Sequence, residues 1–114
     1  MEMNKETQEE IGQLQMIQQQ LQMLMSQKQT FQQRLNEIET SLDEVKKTDS
    51  TTYKLIGEAL IEKDRKDLEK ELTEEQEKIN TRMKSITSQE ERIRSQAKEL
   101  QEKVTKKLQE KKED

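Results

Sequence analysis

From Leu14 to Val45 the apolar residues step alternately by three and four: Leu14, Ile17, Leu21, Leu24, Phe31, Leu35, Ile38, Leu42 and Val45, with Lys28 filling the one charged place in the series. This is an a/d heptad, and sustained over this length it commits the segment to a helix that buries a narrow stripe against another helix with the same repeat. A second series runs Leu72, Gln76, Ile79, Met83, Ile86, Glu90, Ile93, Ala97, Leu100 and Val104, with Leu108 near its end. Between the two series, Thr48, Asp49 and Ser50 carry side chains that compete with the helical backbone for hydrogen bonds, and so end the first helix. Asp64 or a neighbour is placed to cap the second. The chain contains no proline, so neither helix meets its usual breaker. The spacing predicts helices over about 5–48 and about 64–112, each roughly 60 to 70 Å long.

Composition agrees with a seam and excludes a round core. Of 114 residues only 27% are hydrophobic and 40% are charged, and Phe31 and Tyr53 are the two aromatics. Such numbers fit either a disordered chain or long helices, and the sustained periodicity selects the helices. Ten glutamines fall between residues 11 and 33, but the heptad passes straight through them. Glutamine is a good helix former, so these are read as uncharged solvent-facing positions rather than a low-complexity tract.

The same inventory narrows the function. Without cysteine or histidine there is no disulfide framework, no thiolate nucleophile and none of the usual ligand sets for zinc, so no metal or cofactor is expected. The carboxylates are scattered along helix surfaces with no pocket to pair them or shift their pKa values, so the chain is not expected to be an enzyme. A net charge of −4 is spread over 21 basic and 25 acidic residues. Their interleaving leaves no strong field for a phosphate backbone, and nucleic acid is excluded as an expected partner. The lysines of KVTKKLQEKKED are explained by the helix dipole. Neither a signal sequence nor a long apolar span is evident, and the polar face of the first helix is glutamine rather than lysine, so no membrane partner and a cytoplasmic location are expected.

The short connection makes the helices antiparallel. Folding about residues 57–60 brings Leu42 near Leu72, Phe31 near Met83 to Glu90, and Leu14 near Leu100 to Val104. In that register Lys28 falls within a turn of Glu90. The two are expected to form a partly buried pair that fixes register, since such a pair often stabilises less than apolar residues in its place.

Within TTYKLIGEALIE the heptad spacing stops. Tyr53-Lys54-Leu55-Ile56 and Ala59-Leu60-Ile61-Glu62 are two short apolar runs around Gly57-Glu58, a two-residue hairpin turn in which glycine takes the required positive φ. Pairing sets Ile56 opposite Ala59, Leu55 opposite Leu60 and Tyr53 opposite Glu62. A lone hairpin of this size is unstable in water and leaves two edges open, so it predicts completion by other chains. The competing expectation is an irregular loop whose Leu55, Ile56, Leu60 and Ile61 cap the seam.

The order of parts resembles a prefoldin β-class subunit over essentially the whole chain, as a single domain over 1–114 with a hairpin at about 52–62. The resemblance is carried by Tyr53-Lys54-Leu55-Ile56-Gly57-Glu58-Ala59-Leu60-Ile61 and by QQQLQMLMSQKQTFQQRLNEIETSLDEV, which is similar to the first helix of archaeal β subunits; eukaryotic subunit six is a further relative. One hairpin, rather than two, marks the β class. The chain departs from the family at Glu58 and Ala59, where a proline or asparagine and a valine are common. The resemblance implies a mainly α fold, a long antiparallel two-helix coiled coil joined by a β-hairpin that completes a β-barrel in an oligomer. It further implies a hetero-hexamer of two α-class and four β-class subunits, assembled through Tyr53, Leu55, Ile56, Gly57, Ala59, Leu60 and Ile61. Such an assembly holds unfolded client proteins without ATP and passes them to a chaperonin.

For the client-binding ends, Ile11 and Met16 lie off the a/d seam, as do Met23 and Met25 further along, so some of these are expected to face outward, with Leu14, Ile17, Val104 and Leu108 near the chain ends adding weak multipoint contacts. Met23 and Met25 are read as packing on its flank or against a neighbouring subunit. The alternative function is a structural coiled-coil scaffold or tether without chaperone activity, in which the middle patch is only a kink.

Overall fold

The two heptad series form two long helices, α1 (Lys5–Lys47) and α2 (Arg65–Glu113), separated by the strands β1 (Tyr53–Ile56) and β2 (Ala59–Glu62). The structure, a computed structural model, describes residues 4–113. The helix starts lie within a residue of those expected from spacing, because local chemistry sets them.

At the start of α1, the Asn4 side-chain oxygen accepts the Thr7 N–H at 2.7 Å, satisfying one of the donors a helix leaves free at its N-terminus. Glu6 in the first turn and Lys46 and Lys47 in the last suit the helix dipole. Beyond Lys47 the Ser50 N–H donates to the Thr48 hydroxyl at 3.2 Å, the local competition that ends the helix. Arg65 Nη1 then donates to the Thr48 carbonyl at 2.7 Å and satisfies an acceptor just past the helix end. Asp64 takes the cap position of α2, its carbonyl accepting the Leu68 N–H at 2.9 Å.

The contacts divide the chain into two compact units, one of residues Lys28–Lys84 and the other of the helical segments up to Gln27 and from Ser85 on. In the first unit Ile38, Leu42 and Ile79 form a buried cluster, with Phe31, Leu35, Leu72 and Met83 packed against it. All seven belong to the two heptad series. Truncating fully buried Ile38 to alanine is the kind of change that costs about 2 to 5 kcal/mol. Leu68, outside the series, is buried as well. The Arg82 guanidinium lies 5.9 Å from the centroid of the Phe31 ring, at cation–π distance.

In the second unit Ile86, Glu90 and Val104 are buried, and Leu14, Ile17, Leu21 and Leu24 are half-buried. Here the seam reaches further than its apolar residues indicate. Thr7 is only 2% exposed and Glu10 is buried too; with Leu14 and Ile17 they continue the same three-four spacing back to the first turns of α1. Because their side chains are polar, this extension of the seam leaves no mark in the hydrophobic pattern. At the other helix, Lys107 and Leu108 are both half-buried.

Candidate functional site

The hairpin is the part of the chain whose chemistry is least satisfied by the chain itself. Its register pairs Tyr53 with Glu62, Lys54 with Ile61, Leu55 with Leu60 and Ile56 with Ala59, as expected from the sequence. Gly57 has φ 61°, and among the described residues no other has a positive φ, the sign pattern of a type II′ turn, which suits the twist of the flanking strands. Thr52 extends the pairing by one step: its carbonyl accepts the Lys63 N–H at 2.9 Å and its hydroxyl donates to the Lys63 carbonyl at 2.6 Å.

The strands are tied to α2 through one carboxylate. Lys54 Nζ donates to Glu71 Oε2 at 3.0 Å, and Lys63 Nζ donates to Glu71 Oε1. The two lysines, Lys63 foremost, hold the Glu71 carboxyl below the usual glutamate range.

Because residues opposite each other share a face, Tyr53, Leu55, Leu60 and Glu62 lie on one side of the hairpin and Lys54, Ile56, Ala59 and Ile61 on the other. Leu60 is 70% exposed and Leu55 65%, and Tyr53, Ile56, Ala59 and Ile61 are exposed too. The sheet has two strands. Both faces therefore show large apolar side chains, and both edges have backbone groups free to pair. A capping loop would have buried its aliphatics on the seam, so the irregular-loop expectation fails here. This arrangement can accept further strands and a facing apolar layer.

The residues assigned to client contact divide differently. Met16 is 63% exposed, and Met23 and Met25 are exposed as well, on a stretch from Ile11 to Gln27 that contains no charged residue. Ile11, beside the buried seam residue Glu10, is half-buried, so the outward-facing members of the off-seam set are the methionines. Leu14, Ile17 and Leu108 are half-buried, and Val104 is only 6% exposed. These four belong to the seam or its margin.

Lys28 is half-buried on α1, and Glu90 is buried on α2 with Arg94 Nη2 3.5 Å from its Oε2, one turn on. Near the ends of the helices, Lys107 Nζ donates to Glu10 Oε1 at 2.6 Å and lies 3.0 Å from Glu6 Oε1. That cluster had no counterpart in the sequence reading; the only signal for it was the continuation of the three-four spacing through Thr7 and Glu10.

Among the described residues no group of three or more acidic, histidine or cysteine side chains is placed to hold a metal ion, and no helix is long and apolar enough to cross a membrane. Among curated proteins nothing matches this chain. A family model described as prefoldin subunit matches residues 8–111. The crystal structure of the prefoldin beta subunit from Thermococcus strain KS-1 is similar with a TM-score of 0.85 and 30% sequence identity, covering 94% of this chain and 96% of that one. A family match over nearly all of the chain, together with the same order of helix, single hairpin and helix, leads to one conclusion: the chain belongs to the prefoldin family, as a β-class subunit.

Proposed function

We propose that this chain is the β-class subunit of an ATP-independent chaperone that captures unfolded proteins with the ends of its coiled coil and delivers them to a group II chaperonin. Prefoldin subunits are in general non-enzymatic chaperone components that form hetero-oligomers with other prefoldin subunits. The observation that carries the reading is the hairpin, whose exposed apolar residues on both faces call for partners from outside the chain. In this reading Tyr53, Leu55, Ile56, Gly57, Ala59, Leu60 and Ile61 join a β-barrel with α-class and further β-class subunits in a hexamer.

Clients meet exposed Met16, with Ile11, Leu14, Ile17, Val104 and Leu108 contributing where the chain ends part. The flexible thioether of Met16 suits a surface that must take many different apolar segments. Several subunits acting together raise the avidity of weak single contacts. The cytoplasm is the compartment in which such a complex would work. A register role for Lys28 and Glu90 rests on the seam spacing, and a double-mutant cycle without coupling between them removes it.

The reading is tested by mixing the chain with an α-class prefoldin subunit, measuring the assembly mass, and following aggregation of a denatured protein without nucleotide. A mixed assembly that suppresses aggregation supports it. A chain that forms no mixed assembly overturns it.

A further inference from the structure

Five of the six residues assigned to client capture, all but Met16, sit in or beside the seam, with Val104 almost wholly covered. For these side chains to touch a client, the ends of the coiled coil must open. The residues closing that end are unusual for a coiled-coil core. Thr7 and Glu10 occupy seam positions on α1, and Lys107 continues the seam three residues beyond Val104 on α2. Their contact is ionic: Lys107 Nζ donates to Glu10 Oε1 at 2.6 Å and reaches the exposed Glu6 at 3.0 Å.

The Glu10 side chain is only 8% exposed, and its second oxygen, Oε2, is buried and accepts no hydrogen bond from the described residues. A carboxylate in this position has lost much of its hydration and regained only part of it from the protein. Such a pair holds two helices in register but stabilises them less than a packed apolar layer would.

We propose that Glu10 and Lys107, with Glu6 and Thr7, form a weak ionic latch that lets the chain ends part and expose Leu14, Ile17, Val104 and Leu108 to an unfolded polypeptide. The latch regulates the site proposed above and rests on that reading. When it is closed, the apolar seam is covered and protected from self-association. When it opens, the polar side chains return to water at little net loss, and the covered apolar residues become available. Placing polar residues at the end of the seam localises the opening there, because the layers further in, at Leu21, Leu24, Ile93 and Ala97, are apolar.

The test uses the full chain in its assembly with an α-class subunit and reads amide hydrogen exchange without any client. Replacing the pair by leucines, Glu10→Leu with Lys107→Leu, is expected to slow exchange over residues 7–17 and 100–108 by about tenfold or more. The single change Glu10→Gln, which leaves Lys107 without its carboxylate partner, is expected to speed exchange in the same segments and nowhere else. Exchange that is unchanged in both variants overturns the latch.

Aggregation suppression by the same samples then separates the two claims. With the latch operating, the double-leucine variant holds a denatured protein several-fold less well at unchanged assembly mass. If it holds clients as well as the parent, opening is not needed for capture and the proposal fails. If the parent assembly holds no client at all, the capture reading fails, while the exchange result still decides whether the ends are latched.

Discussion

Arg34 and Glu75 meet as two parallel hydrogen bonds, Nε to Oε1 at 2.8 Å and Nη2 to Oε2 at 2.9 Å, and so join α1 to α2 within the unit that carries the hairpin. Arg34 Nη1 also lies 3.2 Å from Glu37 Oε2 on its own helix. The paired hydrogen bonds draw the Glu75 carboxyl down and push the Arg34 guanidinium up from their ordinary values. Both side chains remain partly in solvent, which screens the attraction. Arg34→Lys keeps the charge and loses the planar fork, so the expected destabilisation is at most about 1 kcal/mol and shrinks with added salt. Denaturant midpoints at low and high salt measure it; a loss independent of salt would show that packing, not the ion pair, was removed.

The hairpin separates assembly from helix formation. Its exposed aliphatics make no core for the helices, so changing Leu55, Ile56, Leu60 and Ile61 together to serine is expected to leave the helical content intact and to dissociate the mixed assembly. Circular dichroism and assembly mass read the two effects independently. A quadruple variant that keeps its oligomeric state favours the scaffold or tether reading instead.

Gly57 tests the turn itself. Its φ of 61° is unfavourable for a residue with a side chain, although the space around it is open. Gly57→Ala is therefore expected to destabilise the hairpin by about 1 to 2 kcal/mol through the backbone alone. Gly57→Asn should recover part of this, because asparagine tolerates positive φ. Dissociation on dilution measures both, and equal behaviour of the alanine and asparagine variants would count against a backbone origin.

Acid should loosen the hairpin's attachment to α2. The folded-state pKa of Glu71 is lowered by Lys63 and Lys54, so its contribution is fully present above the unfolded-state glutamate value of about 4.3 and is lost as pH falls through the lower folded value. Tyr53 is the only tyrosine and no tryptophan is present, so the tyrosine near-ultraviolet signal reports on β1 in isolation. That signal should change in acid in the parent and lose this step in Glu71→Gln; identical titrations would remove Glu71 from the account.

Met16 and Val104 should respond in opposite ways to substitution. Met16 is exposed and Val104 covered. Met16→Gln is expected to weaken aggregation suppression with stability unchanged, whereas Val104→Ser should lose about 1 to 3 kcal/mol of stability. Thermal unfolding and aggregation assays on the two variants distinguish a contact surface from a seam position.

Much of this fold is legible in residue spacing. The series from Leu14 to Val45 and from Leu72 to Val104 named the buried cluster around Ile38, Leu42 and Ile79, because a heptad leaves one stripe of a helix to cover. The hairpin register followed from a two-residue turn at Gly57, since strand pairing across such a turn has little freedom. The family was legible for the same reason, as its identifying residues lie in that short contiguous hairpin.

Other features depended on contacts between distant residues. Spacing did not distinguish Ile11, half-buried beside the seam, from exposed Met16, because both lie outside the a/d series. Nor did hydrophobicity reveal that Thr7, Glu10 and Lys107 close the seam, or that Glu71 ties Lys54 and Lys63 to α2. By itself the sequence determined the helices, their apolar stripe and the hairpin, all of which follow from local periodicity and turn chemistry. Only the tertiary structure decided which polar side chains the seam would bury. Burial of a charge depends on whether a partner far along the chain, here Lys107 for Glu10, arrives within hydrogen-bonding distance.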